Sequence, residues 1–403
     1  MGEPADELAD FVIAGAGAAG LSLALALMDS ELAGRRVLLI DRDVKDDDDR
    51  TFSFWTERPE AFERYPSSHF PRLEVAWNGG RTIAEPVRHR YLTIRSLPFY
   101  RTSFDALLAH DNVRFVCDSI VSIEERDGWV EVVGRRGRYR GRFAFDSRFE
   151  LRALRVDEPR YQRSEQRFFG WLIETPDDRF DPSTMTFFDF RGASPGSVCF
   201  FYVLPYSRRL ALVEHVAIDR AADQESLGAY VREVLGITQF KLRDRELGAS
   251  PLTDQPWPRR GGKRILRIGI PGGQLKASTG YGFLRMQADA RAIVRSLAAH
   301  GHPFDLPRGS RLFARLYEWL DAILLVVMRH EPAQIERIFA ALFAKSPVDR
   351  VLAFLEERAS LADILGLVIT LPPWPFARAM LRWTWRRLRA WLADRRAERA
   401  GLE

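Results

Sequence analysis

Asp10-Phe-Val-Ile-Ala-Gly15-Ala-Gly17-Ala-Ala-Gly20 is the stretch whose reading decides the fold. Phe11 to Ala14 are apolar and partly β-branched, the pattern of a strand buried on both faces. Leu21 to Met28 continue as a helix of small and apolar residues. The three glycines between them have separate duties. Gly15 permits the tight turn, Gly17 lets a pyrophosphate approach the backbone, and Gly20 lets the helix pack on the strand with its N-terminus aimed at the phosphates. A second strand, Arg36 to Ile40, ends in Asp41, about twenty residues past the last glycine, where an acid holds a ribose 2′-hydroxyl. Strand, turn, helix and acid-terminated strand in this order predict a dinucleotide-binding βαβ unit and an α/β fold around it.

The remainder of the chain sets outer bounds. With 403 residues and 46% hydrophobic content it can fill two or three packed layers. A net charge of +5 is too small to point to nucleic acid. The two cysteines, Cys117 and Cys199, are far apart and have apolar neighbours, which argues against a disulfide framework or thiolate metal site and for a reducing, cytoplasmic compartment. No metal is expected. Met1 to Leu8 are acidic and lack the pattern of a secretory signal. The apolar runs Leu320 to Met328 and Ile364 to Pro372 fall short of the roughly 20 residues that span a bilayer.

Along the chain, the acidic run Asp46 to Asp49 gives way to Arg50-Thr-Phe-Ser-Phe-Trp55, whose arginine among aromatics can return to the dinucleotide or line a pocket. Leu73 to Leu97 alternate apolar and polar residues, predicting antiparallel strands, and Arg101 to His110 predict a helix. Residues 160 to 250 carry aromatics in alternating runs, which predicts a separate antiparallel sheet. Buried-strand composition returns at Ile265 to Ile270, followed by a glycine-rich loop with Gly273, Gly280 and Gly282 and a helix to Ala299, read as a second dinucleotide contact. The expected organisation is a discontinuous dinucleotide domain (8–60, 98–158 and 258–302), an antiparallel β substrate domain (61–97 and 159–257) and a C-terminal helical region (303–403). The last segment interleaves Trp383, Trp385 and Trp391 with seven arginines from Arg378 to Arg396, a composition that suits a lipid headgroup interface as well as a basic helix packed on its own domain.

A set of short motifs in one order resembles the bacterial-type lycopene cyclases. They are Ala14 to Ser22, Asp49-Arg50-Thr51 with Phe54-Trp55, Phe145 to Phe149, Gln166 with Phe168 and Gly170-Trp171, Asp189-Phe190-Arg191, Phe201 to Pro205, Ala211 to Glu214 and Ser278 to Phe283. Phe52, Ser53, Arg167 and Ala277 depart from the family pattern. The resemblance implies an FAD-binding, Rossmann-like fold of the aromatic-hydroxylase type. It implies FAD in reduced form, with NAD(P)H as a possible electron source, and closure of the ψ ends of lycopene or a related linear carotenoid to β-rings, giving γ- and/or β-carotene without net redox change. A redox flavoenzyme on the same fold, a monooxygenase or a prenyl reductase acting on an apolar isoprenoid, is the alternative. An insoluble substrate further implies a peripheral position on a membrane.

Ring closure requires an acid, a means of stabilising a cation, and exclusion of water. Glu214 falls where the family motif places its catalytic glutamate, and in a strand it shares a face with the apolar Leu212, Val216 and Ile218, so desolvation should raise its pKa above about 4.3. His215 should point the other way. Phe168, Trp171, Phe187, Phe188 and Tyr202 are expected to line an apolar tunnel, with Asp189 and Asp146 as possible secondary acids. The expected dinucleotide contacts are Gly15, Gly17, Gly20, Asp41, Arg50, Gly273, Gly280 and Gly282.

Overall fold

The computed structural model describes residues 8–194, 196–307 and 310–400; all but the last residue of the acidic N-terminal segment, and the three final residues of the helical region, lie outside them. Strand Ala9–Ala14 is central to a seven-stranded sheet, with Val37–Asp41 and then Val113–Cys117 parallel on one side and Arg138–Asp146 parallel on the other. The far edge of Arg138–Asp146 is shared. Its first half pairs antiparallel with Trp129–Gly134, beyond which Ile120–Arg126 follows, and its second half pairs parallel with Ile265–Arg267. Helix Ala18–Met28 is buried almost all round, because it lies between this sheet and helix Phe283–His300. Glycine permits that close packing: a Cβ on Gly20 would stand 1.9 Å from the Gly15 carbonyl oxygen, and one on Gly269 2.9 Å from Ala19 Cβ.

The second seven-stranded sheet runs in the order Lys241–Thr253, Arg163–Glu174, Leu210–Ile218, Cys199–Pro205, Thr184–Asp189, Arg72–Trp77, Gly80–Ala84. It is antiparallel except where Arg72–Trp77 pairs parallel with Thr184–Asp189, an exception to the uniform antiparallel expectation. Both faces are covered. Leu212 and Val216 face a core shared with the C-terminal helices, whereas Ala211 and Val213 face a smaller core under the helical turns Gln224–Val234. A third sheet joins Thr51–Thr56, Arg90–Arg95 and Ser68–Phe70. The expected domain boundary between residues 60 and 61 therefore cuts through one hydrogen-bonded sheet.

The C-terminal helices Arg311–His330, Ile335–Lys345 and Val348–Leu355 close over the second sheet. A buried ion cluster ties them to the glycine-rich loop. Lys276 Nζ lies 2.8 Å from Asp321 and 3.1 Å from Glu357, and Glu357 also takes Arg285 at 2.9 Å. Trp55 Nε1 donates to the Leu352 carbonyl at 3.0 Å, which fixes a second point of contact.

Candidate active site

Two regions meet where the glycine-rich loop reaches the second sheet. The first is the glycine turn at residues 15–20. Gly15 has φ +101°, and a Cβ on Gly17 would meet nothing within 4 Å, so the backbone is open to a ligand there. No side chain caps helix Ala18–Met28, and none caps helix Phe283–His300 behind Gly282. The uncapped N-terminus at the glycine turn leaves backbone N–H groups without intrahelical partners at this locus, which fits a pyrophosphate, and the helix behind Gly282 leaves a second such set. Asp41 turns back to this locus: its Oδ2 accepts the Ala16 N–H at 2.6 Å, and its Oδ1 takes Lys45 Nζ at 3.2 Å. Arg50 pairs with Asp49 at 2.6 Å, and Tyr100 also donates to Asp49. Gly273 and Gly280 both have φ +74°, which the sharp turns of the second loop require; Gly273 packs on Trp257, and Gly280 lies beside Gln166.

The second region is a row of residues across four adjacent strands. Register places Glu246 opposite Gly170, Gly170 opposite Glu214, and Glu214 opposite Tyr202. Gly170 makes the row possible. A Cβ there would stand 2.9 Å from Glu214 Cγ and 3.1 Å from Glu246 Cγ, so only glycine lets the two glutamates meet across the intervening strand. Both are buried, Glu214 at 8% exposure and Glu246 at 2%. Burial, then the charge of Glu246 and its hydrogen bond, push the Glu214 carboxyl well above the ordinary range. Glu246 is raised by burial but held down by the hydrogen bond from Glu214, by Arg95 and by Thr51. Thr51 Oγ1 donates to Glu246 Oε2 at 2.9 Å, with Arg95 Nη1 3.5 Å from the same oxygen. Both carboxyls are therefore raised, Glu214 the further, and the hydrogen-bond and ion-pair partners Thr51 and Arg95 lie on Glu246.

On the other side of Glu214 lies a cluster of packed aromatic side chains. The Tyr202 and Tyr281 hydroxyls are 3.0 Å apart, and Trp55 meets Tyr281 edge-on at 4.8 Å. Phe187 touches Trp55, Tyr91, Phe188, Tyr202 and Phe343. Burial raises the hydroxyls of Tyr91, Tyr202 and Tyr281 well above their usual pKa, so they stay neutral donors. Tyr281 arrives from the glycine-rich loop, between Gly280 and Gly282, and Phe283, two positions on, stacks on Phe52 and Phe54. The glycine-rich loop therefore also supplies part of the aromatic cluster beside Glu214.

Of the pocket residues expected from sequence, Phe168, Phe187, Phe188 and Tyr202 lie on the Glu214 face. Trp171 and Asp189 do not, which corrects their expected place in the tunnel. Trp171 packs on the opposite face against Phe169 and Phe240, because it neighbours Gly170 in a strand whose side chains alternate. Asp189 is wholly buried there, taking Tyr230 Oη at 2.7 Å and Arg191 Nη2 at 2.6 Å, so it is already fully engaged. His215 also faces that side, stacked on Phe201 at 5.0 Å, and Asp146 pairs with Arg148 in the first sheet. The sequence reading missed Glu246, Arg95, Tyr91 and Tyr281 as neighbours of the acid. The available signal was Gly170, a glycine inside an otherwise aromatic strand. Among the described residues no group of three or more His, Cys, Asp or Glu could hold a metal ion.

A sequence profile of the family described as lycopene cyclase protein matches residues 10–381. No curated protein matches by sequence. Among solved structures, a geranylgeranyl bacteriochlorophyll reductase-like protein from Thermoplasma acidophilum is similar, with TM-score 0.62 and 12% identity over 92% of this chain and 98% of that one. The flavin-dependent brominase Bmp2 gives 0.63 and 13% over 94% and 99%, and Klebsiella pneumoniae HpxO complexed with FAD gives 0.59 and 14% over 89% and 99%. At these identities the likeness shows the shared α/β flavoprotein fold.

Proposed function

The chain belongs to the lycopene cyclase family, and from that premise we propose that it closes the ψ ends of lycopene, or of a related linear carotenoid, into β-rings without net redox change. The observation that carries the reading is the Glu214 carboxyl, buried beside a cluster of aromatic side chains, where burial favours its protonated form. Glu214 gives its proton to the terminal double bond, leaving a tertiary cation. The electron pair of the next double bond forms the ring C–C bond, and a ring C–H bond then breaks, its pair becoming the ring double bond and its proton returning to carboxylate. One proton enters and one leaves, so atoms and electrons balance. Trp55, Tyr91, Phe187 and Tyr202 offer ring faces to the cation, worth about 2 kcal/mol each where desolvated, and their packing excludes the water that would trap it.

The residues that would hold FAD are Gly15, Gly17 and Gly20 with the loop of Gly273, Gly280 and Gly282. Support comes from the two uncapped helix ends and the open face of Gly17. Reduced FAD, loaded by NAD(P)H, would supply negative charge opposite the cation. The test is an anaerobic assay with FAD, reductant and lycopene in liposomes, following product mass and reductant consumed. A ring-closed product of unchanged mass over many turnovers per reduced flavin is expected. Product gaining hydrogen or oxygen in step with reductant would place the protein among redox flavoenzymes instead.

A peripheral membrane position is part of the same proposal. No single described helix is long and apolar enough to cross a bilayer, but Leu361–Thr370 and the helix beginning at Pro373 meet at a 113° bend. Ile369 (82% exposed) and Trp374 (72%) flank that bend, and arginines sit over Trp385 and Trp391 further along. Ile369→Asp with Trp374→Asp should weaken liposome binding while leaving turnover in detergent intact; unchanged binding would count against the membrane proposal.

A further inference from the structure

Two carboxyl groups in contact inside a protein cannot both ionise cheaply, so one retains a proton, and the donors around each decide which. The donors here are unequally divided. Glu246 accepts from Thr51 and lies against Arg95, whose guanidinium is anchored by Asp48 and Asp244, each at 2.7 Å. Glu214 is flanked on its own strand face by Leu212 and Val216. The titratable or charged groups facing it are Glu246 from one strand, Tyr202 and Tyr206 from another, Tyr91 and Arg95 from the third sheet, and Tyr281 from the loop. The tyrosines are neutral, so Arg95 is the single cation among these facing groups, and its guanidinium lies 3.5 Å from the Glu246 carboxyl.

We propose that Glu246 is a positioning residue: it takes the Arg95 charge and the Thr51 hydrogen bond for itself and so leaves Glu214 as the neutral, proton-bearing carboxyl. Glu246 acts through Glu214 and need not touch substrate. Removing its charge has two effects of one sign. The repulsion that disfavours ionised Glu214 disappears, and Arg95 is left with Glu214 as its nearest buried carboxylate. Both loosen the Glu214 proton. The kinetic consequence rests on the cyclase reading, whereas the proton's location does not.

The test is Glu246→Gln in the full-length, FAD-loaded protein, with Glu214→Gln as reference, read by two methods. Infrared titration follows the carbonyl stretch of the protonated carboxyl. The Glu214→Gln spectrum sets the baseline, which includes Glu356, pushed up to about 7 by burial. The band assigned to Glu214 should persist through neutral pH in the unaltered protein and vanish about one pH unit or more lower in Glu246→Gln. Turnover of Glu246→Gln should fall about tenfold at mildly alkaline pH and recover on acidification, while Glu214→Gln stays inactive throughout. An unmoved band and pH profile in a folded Glu246→Gln would overturn the proposal, and so would a band lost in Glu246→Gln but kept in Glu214→Gln. If Glu246→Gln does not fold, the comparison of the unaltered protein with Glu214→Gln still decides which carboxyl carries the proton. Absence of turnover by the unaltered protein, with the band shift present, would remove the cyclase reading and leave the pair.

Discussion

The two faces of strand Leu210–Ile218 treat their ionisable groups in opposite ways. On the inner side of the sheet, Glu214 meets another carboxyl, Glu246, in a largely apolar surround, so burial favours its neutral, protonated form. On the other, Asp189 has Arg191 and Tyr230, and His215 accepts the Asp223 N–H at 3.2 Å; those groups hold the sheet against its covering helical turns. Full satisfaction of a buried polar group gives stability, while partial satisfaction stores reactivity at some cost to stability. The difference predicts that matched substitutions on the two faces fail in different assays. Glu214→Gln should lower turnover about a thousandfold or more, the scale of a lost general acid, with the fold retained. Asp189→Asn should leave turnover per folded molecule intact and cost about 2 kcal/mol in denaturant unfolding, a figure discounted for the partial exposure of Arg191. A thousandfold loss in Asp189→Asn at unchanged stability would erase the distinction between the faces.

Gly170→Ala sharpens the comparison because it touches only the Glu214 face. Its new Cβ would meet the Cγ atoms of both glutamates and, at 3.2 Å, Leu212 Cδ1. Overpacking of this kind costs about 1–3 kcal/mol, but the more specific effect is to wedge the carboxyls apart. The alkaline limb of the pH profile should then move in the same direction as in Glu246→Gln and by a smaller amount. Lost stability with an unmoved limb would mean that contact between the two glutamates is incidental.

How much of this was legible in the sequence follows from the range of each signal. The strand, glycine turn and helix at residues 9–28 are encoded within twenty residues, and each step constrains the next. The burial of Glu214 on the apolar face of its strand was legible from a period-two pattern, which is local. Trp171 was misplaced although the parity was present in the sequence, since Phe168, Gly170 and Leu172 alternate with it. Phe187 and Phe188 show the reverse case. As neighbours in a strand they should face apart, yet both reach the same core because the register of their strand slips between Thr186 and Asp189. Glu246 was out of reach. Its partnership with Glu214 depends on the register of Gly170 against Glu246, 76 positions apart in the chain, with a bulge at Leu172 and Ile173, and no local pattern records it.

The smallest effect expected is also the one that sets two adjacent residues directly against each other. His215 is held below its usual pKa, chiefly by burial, so the unfolded chain binds its proton more readily than the folded one. Stability from that source is present above the unfolded pKa of about 6.5 and is lost as pH falls through it. Glu214 is held above its usual pKa, so the folded chain binds the proton more readily, and its contribution is complete below about 4.3 and lost as pH rises. His215→Gln keeps an acceptor for the Asp223 N–H and removes the titration, so it should flatten the decline of Tm between neutral and mildly acid pH. Glu214→Gln should instead flatten the decline on the alkaline side. If both variants flatten the same limb, the assignment of opposite protonation preferences to the two faces of this strand fails.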